Sequence, residues 1–261
     1  MKQIKIRIII GTIAFLTLVA FSSTGCRKFP YLEGNGNVSS ETRISVSFNR
    51  IDNQGDFNVY YEYDSTFRVT VEAESNLIPY IRTIVKGNTL QIDTRENINN
   101  NYAMKVTVYS PVMKGVILSG SGLINAGSVV EDNFEVKLSG SGIIYGDIIS
   151  HSFHALISGS GEIDFEVNSE NTIAIISGSG NIKMIGESTF GDYLISGSGN
   201  IESYNLQMDE CTAKISGSGN MYTNVANYIN VTISGSGNFF YVGSPTINSV
   251  ITGSGNVIHG N

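Results

Sequence analysis

Ile157-Ser158-Gly159-Ser160-Gly161-Glu162-Ile163 and, one unit later, Ile176-Ser177-Gly178-Ser179-Gly180-Asn181-Ile182 are two copies of the stretch that decides the fold. Ser-Gly-Ser-Gly begins at Ser119, Ser139, Ser158, Ser177, Ser196, Ser216 and Ser234, and Thr252 opens an eighth, variant copy. The intervals are 20, 19, 19, 19, 20, 18 and 18 residues. A fixed period of about 20, in units too small to bury an apolar face alone, marks a stacked solenoid.

The columns around the tetrapeptide identify the kind of solenoid. The residue before it is Leu118, Leu138, Ile157, Ile176, Ile195, Ile215, Ile233 or Ile251. Two residues earlier stand Val116, Val136, Ala155, Ala174, Tyr193, Ala213, Val231 and Ser249; two residues after it stand Ile124, Ile144, Ile163, Ile182, Ile201, Met221, Phe239 and Val257. This alternation has the period of two that belongs to strands. The expected fold is all-β: a two-sheet parallel β-helix of about eight coils, each a strand, a Gly-rich turn, a second strand and a looser turn. Glycine suits the turn on two counts, access to positive φ and the close stacking of coils. Serine hydroxyls are expected to bond along the ladder or to turn backbone, and Asn181, Asn200, Asn220, Asn238 and Asn256 to stack as an amide ladder.

The first 25 residues read as a lipoprotein signal peptide. Lys2, Lys5 and Arg7 precede the mostly apolar stretch Ile8 to Phe21, which is too short to span a membrane. Thr24-Gly25-Cys26 resembles a lipobox, with Ser23 where leucine is usual, and makes Cys26 the candidate lipidation site and membrane anchor; the alternative is ordinary cleavage with Cys26 incidental. Three of the 16 Lys and Arg leave with this segment and no acid does, so 13 bases face 23 acids, a net charge of −10. So acidic a surface argues against nucleic acid as a partner. Once Cys26 carries lipid, Cys211 has no intrachain partner, and its column, shared with Phe134 and Phe153, makes it a buried thiol.

Residues 26–42 read as a flexible tether, rich in Gly and Asn. Residues 43–115 are β-rich without the repeat: Ile44, Val46 and Phe48 alternate, as do Phe57, Val59 and Tyr61, and Lys86-Gly87-Asn88 turns a hairpin between Ile81–Val85 and Leu90–Ile92. This segment is expected to cap the N-terminal end of the repeat β-helix, 116–261, because an open coil exposes both core and edge. No such cover is visible for the other end.

Phe48-Asn49-Arg50-Ile51, the hairpin Val85-Lys86-Gly87-Asn88-Thr89-Leu90-Gln91-Ile92 and the repeated turns resemble the GIN-domain family of auto-transporter adhesin heads. The resemblance covers roughly residues 43 to 258. It implies an exported protein of Bacteroidetes type, a β-helix with Gly-Ser-Gly turns between two sheets, and a role in cell adhesion; it supplies no catalytic residues.

Searches for chemistry return little. Outward positions after the turn run Asn125, Tyr145, Asp164, Lys183, Glu202, Tyr222, Phe240 and Ile258, a scattered charged face in which acids do not converge. His151, His154 and His259 have no spacing that gathers a metal site, so no metal, cofactor or catalytic residue is assigned. One outward feature stands out: Leu156, Ile175 and Leu194, with Ile173 adjacent, form an apolar stripe between Lys137 and Lys214. Three explanations are open: residues 43–115 fold over it, it is an oligomer or partner interface, or the alternation inverts locally. The expected function is a non-enzymatic, lipid-anchored cell-envelope protein, with an adhesive or assembling head, a possible protein or glycan ligand and a possible homo-oligomer. Its expected place is the outer membrane; Arg27-Lys28-Phe29 is not an acidic run, which leaves the surface and periplasmic faces both open. The alternatives are a glycan-binding or degenerate carbohydrate-active β-helix, in which exposed Tyr145, Tyr222 and Phe240 stack on sugars, and a periplasmic structural lipoprotein.

Overall fold

The three aliphatic columns close into one core. In the computed structural model, which describes residues 31–260, every member from Val116, Leu118 and Ile124 to Val231, Ile233 and Phe239 is buried. The segment 1–25 and Cys26 lie outside the described residues.

Twenty strands follow in chain order. Before the repeat come β1 (Leu32–Glu33), β2 (Val38–Ile44), β3 (Arg50–Asn53), β4 (Phe57–Tyr63), β5 (Arg68–Glu74), a 3₁₀ turn (Ile78–Tyr80), β6 (Ile81–Lys86), β7 (Thr89–Thr94), β8 (Ile98–Asn99) and β9 (Met104–Ser110). The repeat contributes β10 (Gly115–Leu118), β11 (Leu123–Val130), β12 (Asn133–Leu138), β13 (Ile143–Ile157), β14 (Glu162–Ile176), β15 (Asn181–Ile195), β16 (Asn200–Ile215), β17 (Met221–Ile233), β18 (Phe239–Val242), β19 (Thr246–Ile251) and β20 (Val257–His259). The long strands β13 to β17 bend through the looser turn and serve both sheets. The sheet before the Gly-rich turn, sheet A, runs β7-β3-β10-β12 and on through the second halves of β13–β17 to β19, all parallel. The sheet after it, sheet B, runs β9-β4-β11 and on through the first halves of β13–β17 to β18 and β20, also parallel. These ten tiers make a stack roughly 48 Å long at the usual strand spacing.

Two of the ten tiers lack the tetrapeptide. In the tier β3–β4, Ile51 and Val59 occupy the inward columns while Asn53 takes the aliphatic slot. Its Nδ2 donates to the carbonyl of Phe57 at 2.8 Å and its Oδ1 accepts from Gly55 N–H at 3.2 Å, so one side chain holds the turn. The chain then lays β7 and β9 on the far side of this tier and returns to its near side with β10.

Antiparallel strands close that end, β6 against β7 and β2–β5 against β9. Leu77, Ile78 and Ile81 are buried there. β6 and β7 form the hairpin expected at Gly87. The segment expected to be a flexible tether holds strands: within 26–42, β1 pairs with β8 and β2 pairs with β5 from Val38 onward. The predicted strand over Ile44–Phe48 is also displaced. β2 ends at Ile44, and Ile44 and Val46 are exposed because the chain there crosses from the outer edge back toward the core at Phe48. Glu74 pins the entering chain. Buried against Gly34, it accepts from Gly36 N–H at 2.6 Å, Asn101 N–H at 2.8 Å and Asn101 Nδ2 at 2.9 Å.

The turn glycines are needed for one of the two predicted reasons only. None of them has positive φ; among the described residues that conformation belongs to Gly36, Gly87, Gly127, Gly186 and Gly243. What they provide is space. A Cβ on Gly178 would lie 2.1 Å from the carbonyl oxygen of Gly159, and one on Gly180 2.2 Å from that of Gly161. Backbone bonds run straight through the stacked turns, as in Ser158 N to Leu138 O and Ser160 N to Gly140 O. The serine hydroxyls, exposed at the corner, are mostly left to solvent, contrary to the predicted ladder of hydroxyls. The asparagine ladder is present: Oδ1 of Asn181, Asn200, Asn220 and Asn238 each accepts both the backbone N–H and the Nδ2 of the next rung, at 2.9–3.5 Å.

Gly178→Ala forces a methyl into a backbone carbonyl, and chemical denaturation should show a loss of ~3 kcal/mol. Gly87→Ala meets open space and only a φ of 59°, and should cost about 1 kcal/mol. Acid is the second test. The Asn101 amide, with the N–H groups of Asn101 and Gly36, holds Glu74 below the usual carboxylate range. Glu135 also lies below it, since Lys137 and Arg50 outweigh the upward push of burial, and Arg68 brings Asp64 to about 2. Depressed carboxylates stabilise the folded state above their unfolded values and lose that contribution as pH falls through the folded ones. Midpoints of denaturation should be flat from neutrality to about pH 5 and fall below about pH 4.5, with a shallower fall in Glu74→Gln.

Candidate functional site

Sheet A turns one set of side chains inward and the alternate set to solvent. Leu156 pairs with Ile175 and Ile175 with Leu194, while His154, Ile173 and Asp192 form the adjacent outward row. Ala155, Ala174 and Tyr193 lie between them, facing the core and fully buried, so the alternation is not inverted. Leu156, Ile173, Ile175 and Leu194 are each half-buried. Residues 43–115 do not cover them, because β3 and β7 extend sheet A at its end rather than lying across its face. Of the three explanations, covering and inversion are thereby removed.

The face has a shape as well as a composition. Ile117, Lys137, Leu156 and Ile175, with Ser158 and Ser177, line a shallow hollow of about 310 Å³. Lys137 at its rim is 2.8 Å from Glu135, which Arg50 also holds, so one carboxylate is shared by two cations at this margin. Toward the looser turn the apolar area continues to exposed Phe190. Phe190 was not singled out from sequence; its outward parity in the β15 register, Asn171 opposite Phe190 opposite Glu210, is the signal that finds it.

Sheet B presents the outward row predicted, from Asn125 to Ile258. Its acids do not converge: Lys183 bonds Glu162 at 3.0 Å across adjacent strands, and Glu202 lies on the next. Tyr222 and Phe240 stack on each other, with centroids 4.9 Å apart and planes 5° apart, and Tyr204 sets its ring at 74° to Tyr222. The ring faces between Tyr222 and Phe240 are therefore spent on each other, and a sugar cannot stack there.

The histidines stay apart. His151 meets Glu170 at 2.9 Å, His154 meets Ser152, and His259 meets the Gly243 carbonyl. Among the described residues no group of three or more His, Cys, Asp or Glu has metal-binding proximity.

The two strongly shifted groups are core groups. Burial pushes the Cys211 thiol up, and burial does the same to the Tyr193 phenol, whose hydroxyl reaches Met208 Sδ at 3.2 Å. Tyr193 stands in a column whose other repeat members are all small: valine, alanine and, at the last tier, Ser249. Gly191 makes room for Met208 beside it: a Cβ there would lie 2.6 Å from Met208 Sδ and 3.4 Å from the Tyr193 ring.

The arrangement is a two-sheet parallel β-solenoid with a half-exposed apolar face on one sheet. The chain belongs to the family described as "Putative auto-transporter adhesin, head GIN domain", whose model matches residues 47–245. The fold is shared with a crystal structure described as a putative lipid binding protein from Parabacteroides distasonis: TM-score 0.83, 24% identity, covering 89% of this chain and 100% of that one. Two others are described as putative adhesins. That from P. distasonis has a TM-score of 0.82 at 22% identity (88% and 100% covered), and that from Parabacteroides merdae 0.81 at 22% identity (88% and 99% covered). No curated protein sequence matches the chain.

A chain of residues 27–261 has Cys211 as its single thiol. It should resist a thiol reagent at pH 8 for hours when folded and react within minutes in denaturant, because a buried neutral thiol is not a nucleophile. Fast labelling of the folded chain would contradict the burial.

Proposed function

We propose that this chain is a lipid-anchored protein of the cell envelope, held through Cys26, that presents its solenoid as a rigid, non-enzymatic head for adhesion. The observation that carries the reading is the apolar face of Leu156, Ile173, Ile175 and Leu194, held in register on a stack whose described residues gather no catalytic or metal-binding group. Contiguous apolar area on an otherwise acidic exported protein is characteristic of contact surfaces. Family membership supports an adhesin-like surface role. The anchor rests on the sequence Thr24-Gly25-Cys26 after an apolar stretch. Only five residues separate Cys26 from the first strand at Leu32, which limits the reach from one to the other to about 20 Å. The capped end of the stack is thus the end tied to the membrane, with the outer membrane as its location.

Two arms test this in cells that carry the chain. Cys26→Ser should abolish palmitate incorporation and release the protein from the membrane fraction. Leu156→Asp/Ile175→Asp should leave the anchored, folded protein in place and lower cell attachment several-fold. Attachment unchanged by the double variant, or a wild-type chain that protease cannot reach on intact cells, would overturn the adhesive role.

A further inference from the structure

The two ends of the stack differ, and the difference identifies a partner. At the N-terminal end the core columns run under antiparallel strands and the buried side chains Leu77, Ile78 and Ile81. At the other end the same columns run out. Ile215 and Ile233 are 0% exposed, but Ile251, next in that column, is 44% exposed. Val231 is buried, but Ser249, next in that column, is exposed. Val250 and Ile258 on the last tier are exposed as well. β19 pairs with β17 and β20 with β18, and among the described residues no strand lies on their outer edges.

Native edges are ordinarily blunted by charge, proline or a bulge. Here Gly243 and Pro245 precede β19 and leave its six residues free to pair. Charge is missing altogether: between Lys214 and Asn261 the sequence has no Asp, Glu, Lys or Arg, although the chain holds 39 such residues, 16 basic and 23 acidic. In a protein of net charge −7, this is the surface on which two copies approach without mutual repulsion.

We infer that the occupant of this end is a second copy of the chain, joined tail to tail. At the N-terminal end the core is covered by Leu77, Ile78 and Ile81, and the edge strands β6 and β2 present no open column for the last coil to continue. The open core of one copy is matched by the open core of another, so the contact is a closed two-fold rather than a filament. Two-fold symmetry across the stack axis makes the edge strands meet antiparallel, continuing both sheets from one copy into the other. The end face is about 20 Å by 25 Å, so pairing buries on the order of 1,000 Å² over both copies, the lower bound for a specific dimer. A micromolar equilibrium is expected. The pairing itself does not depend on the proposed anchor. Combined with the anchor, which that part of the inference assumes, it places the two Cys26 ends at opposite poles of the dimer and makes adhesion homophilic, between copies on facing membranes.

The test uses residues 27–261, which retain the compact unit Leu32–Asn261, in sedimentation equilibrium and small-angle scattering from about 1 to 100 µM. A monomer–dimer transition is expected, with the dimer's longest dimension close to twice the monomer's. Ser249→Glu/Ile251→Glu should be monomeric throughout. Val250→Lys, an outward edge position that folding does not require, should weaken the dimer at least tenfold with an unchanged melting temperature. Leu156→Asp/Ile175→Asp should dimerise like the wild type. A wild type that stays monomeric at 100 µM, a dimer that survives Val250→Lys unweakened, or a dimer abolished by the Leu156/Ile175 variant would overturn the tail-to-tail assignment. None of these outcomes bears on palmitate labelling, so the anchor and the pairing fail separately.

Discussion

A backbone carbonyl oxygen of the preceding coil lies 1.8–2.2 Å from where a Cβ would stand at both glycines of every tetrapeptide, and at all but Gly122, which meets Phe57, that carbonyl is itself a glycine's. Everything else in the fold depends on that closeness. Strand spacing in a parallel sheet is about 4.8 Å, and a turn keeps that spacing only if its backbones touch. A residue with a side chain at either glycine would open the corner, lengthen the ladder bonds of both sheets beside it and tilt the coils apart. Because the corners stay closed, Leu118 to Ile233 fall on one line, and so do the outward residues.

The same closeness explains which parts of the architecture are legible in the sequence. A repeated turn with aliphatic flanks fixes inward and outward parity for eight coils, so the core columns, the buried Cys211 and the outward stripe at Leu156, Ile175 and Leu194 are readable directly. The reason for glycine is not readable, since positive φ and close approach select the same residue. The tier β3–β4 is harder still. Ile51, Asn53 and Val59 have the spacing of Val116, Leu118 and Ile124, but one asparagine replaces an aliphatic residue and the turn keeps only Gly55. Without the tetrapeptide, nothing local says that β7 and β9 return to the far side of that tier. Long-range order of this kind is decided by which edge remains to be covered.

Polar groups are managed differently along the stack. The first tiers use charge: Arg82 with Asp93, Arg68 with Asp64, Arg50 with Glu135, and the buried Glu74 that holds Gly36 and Asn101. The last tiers use amides, with Asn181 to Asn256 bonded rung to rung. An amide ladder satisfies its backbone donors without bringing charge to the corner. It also has no natural end, because each rung offers its Oδ1 to the next.

In a quasi-one-dimensional stack each coil is stabilised by its own packing and by its two neighbours. The N-terminal tier has a closed neighbour on its outer side. The last tier has one neighbour, exposes Ile251 and replaces the Val231 column with Ser249, so its packing contribution is the smallest of the series. Such a coil frays unless something lies on it. Selection against fraying has two routes: a charged or proline-rich terminal coil that tolerates water, or a surface that accepts another coil. The residues after Lys214 follow the second course, being polar enough through Asn and Ser to remain soluble and uncharged enough to meet their own kind.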